Sequence, residues 1–380
     1  MLKINYPADL TRLNSSYLKS LNVTELQTSL DILYSRPNFQ TIQNKKNATE
    51  WLTMNFEDLT AESFRLKNLI TEEQEIIEIK KVFNYGSSET GYLGRRNSKI
   101  ADFFMENRSN IKLSSCYYCN VDYIFAFENI GDFEDEIHFL NKAEMYEIEQ
   151  ISEFGIGTSK KIKENRAIQE IISIDDARIQ LTDPQKQNLL NFKVKELKNH
   201  FTLDHVLNKA DHPFAALSLY NFVPCCFACN SKFKRDNKLI ATENDSILSP
   251  TSQLNDVNDD IKFKLYFSNG LKYKQNKATI NSVDDFTLDL SSKKNTDAYK
   301  RYISIFKLKE RYVFHKPVVY DIIKKEKSYS ASRISEIATL MNKTDDEVKA
   351  DIFGEDLVNK NDFSNPFSKL KIDIADNIDL

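Results

Sequence analysis

Two Cys-x-x-Cys pairs constrain this chain more than anything else in it: Cys116 and Cys119 in SSCYYCN, and Cys226 and Cys229 in CCFACN. Four thiolates complete a closed tetrahedral zinc site, and two cysteines at this spacing reach one ion from a single tight turn. The pairs lie 107 positions apart, from 119 to 226, so the fold must bring distant segments together. The fifth cysteine, Cys225, could replace Cys226 only by lengthening the spacer to Cys229, so Cys226 is the expected ligand. The competing reading is five buried thiols without metal, and the two paired spacings argue against it.

That reading assumes a reducing compartment, where cysteine pairs mean metal more often than disulfide. The start, MLKINYPADLTRLN, lacks a basic segment followed by an apolar run, so no signal peptide is expected. No apolar stretch approaches the roughly 18–20 residues of a membrane helix. A cytoplasmic protein without membrane contact is expected. The net charge is −4, so any contact with nucleic acid must come from local basic patches or from a partner. With only 8 glycines and 8 prolines, turns must rely on Asn, Asp and Ser, and long helices follow.

The expected class is α+β, mostly helical, in three parts. Residues 1–99 read as a helical lobe, with Thr24 a candidate N-cap and ESFRLKNLITEEQEIIEIKKVFNY a long amphipathic run. A glycine-bearing loop, 84–99, carries Arg95, Arg96 and Lys99. Residues 100–245 hold both cysteine pairs around a charged helical insertion at about 130–199. VDYIFAF after Cys119 and FTLDHVL read as strands flanking that insertion, giving a ββα unit whose hairpin the insertion opens. Gly-Ile-Gly at 155–157 sits between two helical runs, either as a plain turn or as a phosphate-gripping helix N-terminus. Residues 246–380 begin with alternation around Asn269-Gly270, a hairpin signal, and DDFTLDLSS adds a further candidate strand. Helices then return, TDDEVKADIFG opening on a capping box, and the Asn/Asp-rich tail keeps enough Phe, Leu and Ile to pack.

Phosphodiester hydrolysis needs a base for water, a divalent cation at the phosphate, and rigid placement of both. Asp204-His205 ends a strand, Asn221 lies 16 residues beyond His205, and Asn230 follows Cys229 directly. Imidazole near neutral pH suits the base, His205. A carboxylate and an amide oxygen suit a hard ion such as Mg2+ or Mn2+, so Asp204 and Asn230 read as its ligands, while the cysteine-held Zn2+ fixes the scaffold. Lys232, Lys234, Arg235 and Lys238 read either as a solvated helix face or as contacts to a nucleic-acid backbone, Lys234 foremost. Asp211-His212 is a second Asp-His pair, but it precedes proline outside any strand. His138, His200 and His315 read as surface, core or lining residues.

At CYYC…LDHV…YNFVPCCFACNSKFK the chain resembles the HNH endonucleases in their four-cysteine, zinc-bound ββα-metal form, over roughly 116–128 and 199–236. The resemblance implies His205 as general base, Asn221 as the residue holding the loop that carries it, and Asp204 and Asn230 as ligands of the catalytic ion. NYGS, HPFAALSLYNFVP, FKLKERYVFHKPVVYDII and NPFSKLKIDI also resemble HNH nucleases of bacterial anti-phage systems of the Septu and retron-associated kinds. Those work beside an ATPase partner, which the resemblance implies here. The expected function is a metal-dependent DNA endonuclease of antiviral defence. The alternatives are a non-catalytic, zinc-stapled module binding nucleic acid or protein, and an RNA-directed HNH nuclease.

Overall fold

The computed structural model describes residues 2–85, 96–130, 133–191, 195–293, 297–357, 363 and 365–380. It is an α+β protein, mostly helical, with three two-stranded antiparallel sheets among the described residues. Most of the loop at 84–99 lies outside that set.

The strands are β1 (Phe125–Ile130), β2 (Lys195–His200), β3 (Thr202–His205), β4 (Phe222–Cys225), β5 (Ile261–Tyr266) and β6 (Thr287–Ser292). The chain divides into two compact units, one of residues 1–125 with 200–380, the other of residues 126–199. The first unit includes stretches from the N-terminal, central and C-terminal parts of the chain, joined by backbone hydrogen bonds. Leu2 N donates to Tyr117 O at 2.8 Å, Ile4 N to Pro250 O at 2.7 Å, and the buried Tyr17 hydroxyl to Leu217 O at 2.7 Å.

Helices Leu10–Ser20, Val23–Ser35 and Phe56–Leu69 start on the side chains of Asp9, Asn22 and Asn55. Asn22, rather than Thr24, caps the second: its Oδ1 accepts from Glu25 N and its Nδ2 reaches the Glu25 carboxylate. One of the unpaired N–H groups of the first turn is thereby satisfied, and Thr24 lies inside the helix. Trp51, fully buried, stacks on Phe214 at 4.9 Å. The helical lobe thus packs on the loop between β3 and β4.

The sheet at the candidate site is β3 with β4, pairing Asp204 with Val223 and His205 with Phe222. The expected pairing across the insertion is corrected here. β1 pairs instead with β2, and the insertion does not interrupt the β3–β4 hairpin. Residues 121–124 are not strand; only a bridge between Ser115 and Tyr123 precedes β1.

The Asn269-Gly270 turn does not close the expected hairpin either. Gly270 has φ +71°, and Asn269 Nδ2 donates to Asn276 Oδ1 at 2.7 Å, so the chain winds into the helical turn Tyr273–Asn276. The strand that pairs with β5 is β6, from DDFTLDLSS. Helix Ser368–Ile378 covers β5, with Phe263 N donating to Asp373 at 2.9 Å. At Thr344 the capping box forms as the sequence suggests.

The second unit has its own core of Phe139, Leu140, Ile148, Ile162, Ile171 and Leu189. Gly155 is the N-cap of helix Ile156–Ile168, and a side chain at Gly155 or Gly157 would meet nothing within 4 Å. Crowding therefore does not require either glycine.

Candidate functional site

CYYCN folds as a tight turn. Asn120 N donates to Cys116 O at 2.7 Å, Cys116 N to Asp122 O at 3.0 Å, and Asn120 takes φ +53°. On the other side, β4 runs into Ala228–Lys234, a π-helix, where Cys229 N donates to Cys226 Sγ at 3.4 Å. The Sγ atoms of Cys116, Cys119, Cys226 and Cys229 all lie within 4.8 Å of one another, and all four residues are buried. The donor set and its closure fit one tetrahedrally held metal ion such as zinc. Cys225 stands apart, with Sγ 3.6 Å from Thr202 Oγ1, and burial pushes its thiol up. Cys226 is thus the cysteine that completes the cluster.

Three residues that spacing alone does not single out surround it. Arg311 donates to Cys229 Sγ at 3.3 Å and to Asp122 at 3.2 Å, and its guanidinium lies 4.9 Å from the centre of the Phe233 ring. It supplies positive charge where thiolate charge would accumulate. Tyr302 and Tyr312 donate to the carbonyls of Tyr118 (2.8 Å) and Cys119 (2.6 Å). The C-terminal tail locks the same turn: Asn120 Nδ2 donates to Asn365 O, and Phe367 N to Asn120 O.

Beside this cluster lies the Asp-His pair. Asp204 and His205 end β3 and are buried. His205 Nε2 lies 3.0 Å from Ala216 O. A carbonyl only accepts, so Nε2 carries the proton and Nδ1 keeps the lone pair. Tyr85 and Phe222 flank the ring at 4.6 and 4.7 Å. Burial first, then the charges of Lys209 and Lys234, bring the His205 pKa down to about 3, against the Ala216 bond, which favours the charged ring. The imidazole is neutral throughout the physiological range.

Asn221 is fully buried. Its Oδ1 accepts from Leu207 N at 2.7 Å, while its Nδ2 donates to Leu207 O at 3.1 Å and Ala215 O at 2.9 Å. It therefore pins both ends of the segment that presents Ala216 to His205. Asn230, on the π-helix, is partly exposed, and its Nδ2 lies 3.5 Å from Leu203 O, next to Asp204.

Asp204 has partners on both oxygens. Tyr118 Oη donates to Oδ2 at 2.6 Å and Lys234 Nζ to Oδ1 at 2.8 Å; Nζ also donates to His205 O at 2.9 Å. Lys234 is therefore neither on a solvated helix face nor presented to a polyanion in this structure. Lys232 and Arg235 are exposed, and Lys238 is bound to Asp211 at 2.6 Å. The other histidines fall elsewhere. His212 is buried in the helical turn region after Asp211, His200 stacks on Phe125 at 4.5 Å, His138 accepts from Glu134 N, and His315 packs on Phe367.

Comparison with protein-family models, with curated proteins and with solved structures finds no match to this chain. Among the described residues, no helix is long and apolar enough to cross a membrane.

Proposed function

We propose that this chain is a metal-dependent nuclease of the HNH type that hydrolyses DNA phosphodiester bonds. The observation that carries the reading is the fixed tautomer of His205, held by Ala216 O on a loop that Asn221 pins, next to Asp204 and Asn230. In this reading Nδ1 takes a proton from water as the water oxygen bonds to phosphorus and the bond to the leaving oxygen breaks. The protonated imidazole then releases that proton to solvent. A basicity as low as that of His205 is raised by substrate, because a phosphate anion beside the ring favours its charged form.

Zinc is the ion we assign to the four cysteines, as a structural element. Asp204 and Asn230 are of the donor types that hold Mg2+ or Mn2+. When bound, such an ion neutralises charge on the phosphate and the leaving oxygen. In this reading the exposed Lys232 and Arg235 contact the nucleic-acid backbone, which positions the substrate without reading its sequence. The resemblance of the flanking segments extends the reading to an effector of bacterial anti-phage defence that acts with an ATPase partner.

One observation favours the alternative, a non-catalytic binding module: Lys234 already engages Asp204. The test is cleavage of plasmid DNA and of single-stranded RNA by wild type and His205→Ala, with Mg2+, Mn2+ or neither. Cleavage by wild type that His205→Ala abolishes at unchanged zinc content supports the hydrolase. Equal cleavage by the two removes His205 from the mechanism.

A further inference from the structure

Lys234 holds a position that a solvent-facing lysine does not. It is 3 % exposed and Asp204 is 4 % exposed. Its ammonium lies 2.8 Å from Asp204 Oδ1 and 2.9 Å from His205 O, while Tyr118 fills the other carboxylate oxygen. The backbone beside this contact is irregular. Lys234 ends the π-helix, and the next residue, Arg235, takes φ +45°, uncommon for a non-glycine residue. π-Helical turns and such dihedrals gather at functional sites.

The charge count follows. With Asp204 negative and Lys234 positive, the pair presents no net charge to an incoming cation. A dication on Asp204 would also sit against an ammonium now bonded to the same carboxylate, in a buried site where like charges repel strongly. A buried charge needs a partner, and Asp204 can be satisfied by either cation.

We propose that Lys234 is a resident counter-cation of Asp204, and that a divalent ion gains this carboxylate only as the Lys234 ammonium leaves it. This rests on the reading of Asp204 as a cation ligand in the proposed nuclease. Lys234 thereby lowers the affinity for the divalent ion and keeps the ion-free carboxylate paired. Its flexible four-carbon stem lets the ammonium withdraw without moving the strand.

The experiment measures ion binding rather than cleavage. Mn2+ is titrated into the zinc-loaded full chain, read by electron paramagnetic resonance and thermal melting, for wild type, Lys234→Met and Lys234→Met with Asp204→Asn. Lys234→Gln, which keeps a neutral donor against both acceptors, stands in if Lys234→Met fails to fold. The neutral variant is expected to bind Mn2+ at least about tenfold more tightly than wild type and to show a larger Mn2+-induced rise in Tm. Adding Asp204→Asn is expected to remove both gains. A neutral variant that binds Mn2+ no better than wild type, or gains that persist without Asp204, would overturn the proposal. The nuclease reading fails separately, by equal cleavage in wild type and His205→Ala, and that result leaves a gain in Mn2+ affinity standing.

Discussion

The hydroxyl of Tyr118, which stands between the cysteines of the first pair, donates to Asp204 Oδ2 at 2.6 Å across 86 positions of sequence. One short bond joins the turn of the first cysteine pair to the strand that carries His205. The phenol is fully buried and stacks on Phe306 at 4.5 Å. Burial first, then the Asp204 carboxylate, holds its pKa well above the ordinary tyrosine value, so it is a donor at all working pH.

Tyr118→Phe removes that donor and keeps the ring. One buried carboxylate oxygen loses its partner, at a cost of about 1–3 kcal/mol. Urea unfolding is expected to show this loss at unchanged metal content. A variant as stable as wild type would mean that Lys234 alone satisfies Asp204.

Metal removal should act on the fold, because a structural ion bound only by the native state contributes folding free energy. Chelation, Cys119→Ser and Cys229→Ser are each expected to lower Tm and abolish stoichiometric zinc in elemental analysis. Cys225→Ser is expected to keep the zinc. Loss of zinc on changing Cys225 would reassign the fourth ligand.

Asn221→Ala leaves Leu207 N, Leu207 O and Ala215 O without this partner inside a buried loop. Destabilisation of about 3 kcal/mol is expected, read by thermal unfolding. A loss of cleavage larger than the loss of folded protein would show that the loop positions His205.

His212 gives the acid limb of stability. Burial first, then Lys67, lowers its pKa to about 4, partly offset by Asp211 and a bond with the backbone of Ser63. Below the unfolded value near 6.5, the unfolded chain takes up a proton that the folded chain refuses. The contribution is therefore intact above about pH 6.5 and falls by up to about 1.4 kcal/mol per pH unit as pH drops toward 4. Denaturation midpoints of wild type and His212→Gln between pH 7 and 4 check this. The wild type is expected to lose stability more steeply, and parallel curves would contradict the lowered value.

Helix content and several caps were legible because they depend on neighbours within a turn, as at Thr344 and Glu347. Asn22 displaced Thr24 as a cap because its amide answers both Glu25 N and the Glu25 carboxylate, a choice between adjacent polar residues that periodicity does not rank. Strand pairing was less legible. Segments at β1 and β3 read as strands, but β2 lies in the stretch read as a helical insertion and β4 in the one read as a knuckle; pairing depends on packing, and β1 pairs with β2 while β3 pairs with β4.

The sequence by itself determined the chemistry available at the candidate site. Cysteines at this spacing share a turn wherever it lies, and Asp204 and His205 are neighbours on one strand by covalent connection. Tertiary structure decided how those groups are wired. It set Tyr118 and Lys234 on the two oxygens of Asp204, Ala216 O on His205, and Arg311 beside Cys229. The physical reason is that local spacing dictates which side chains can meet within a turn. Which lysine is buried, and against what, depends instead on segments tens to hundreds of residues apart closing on one core.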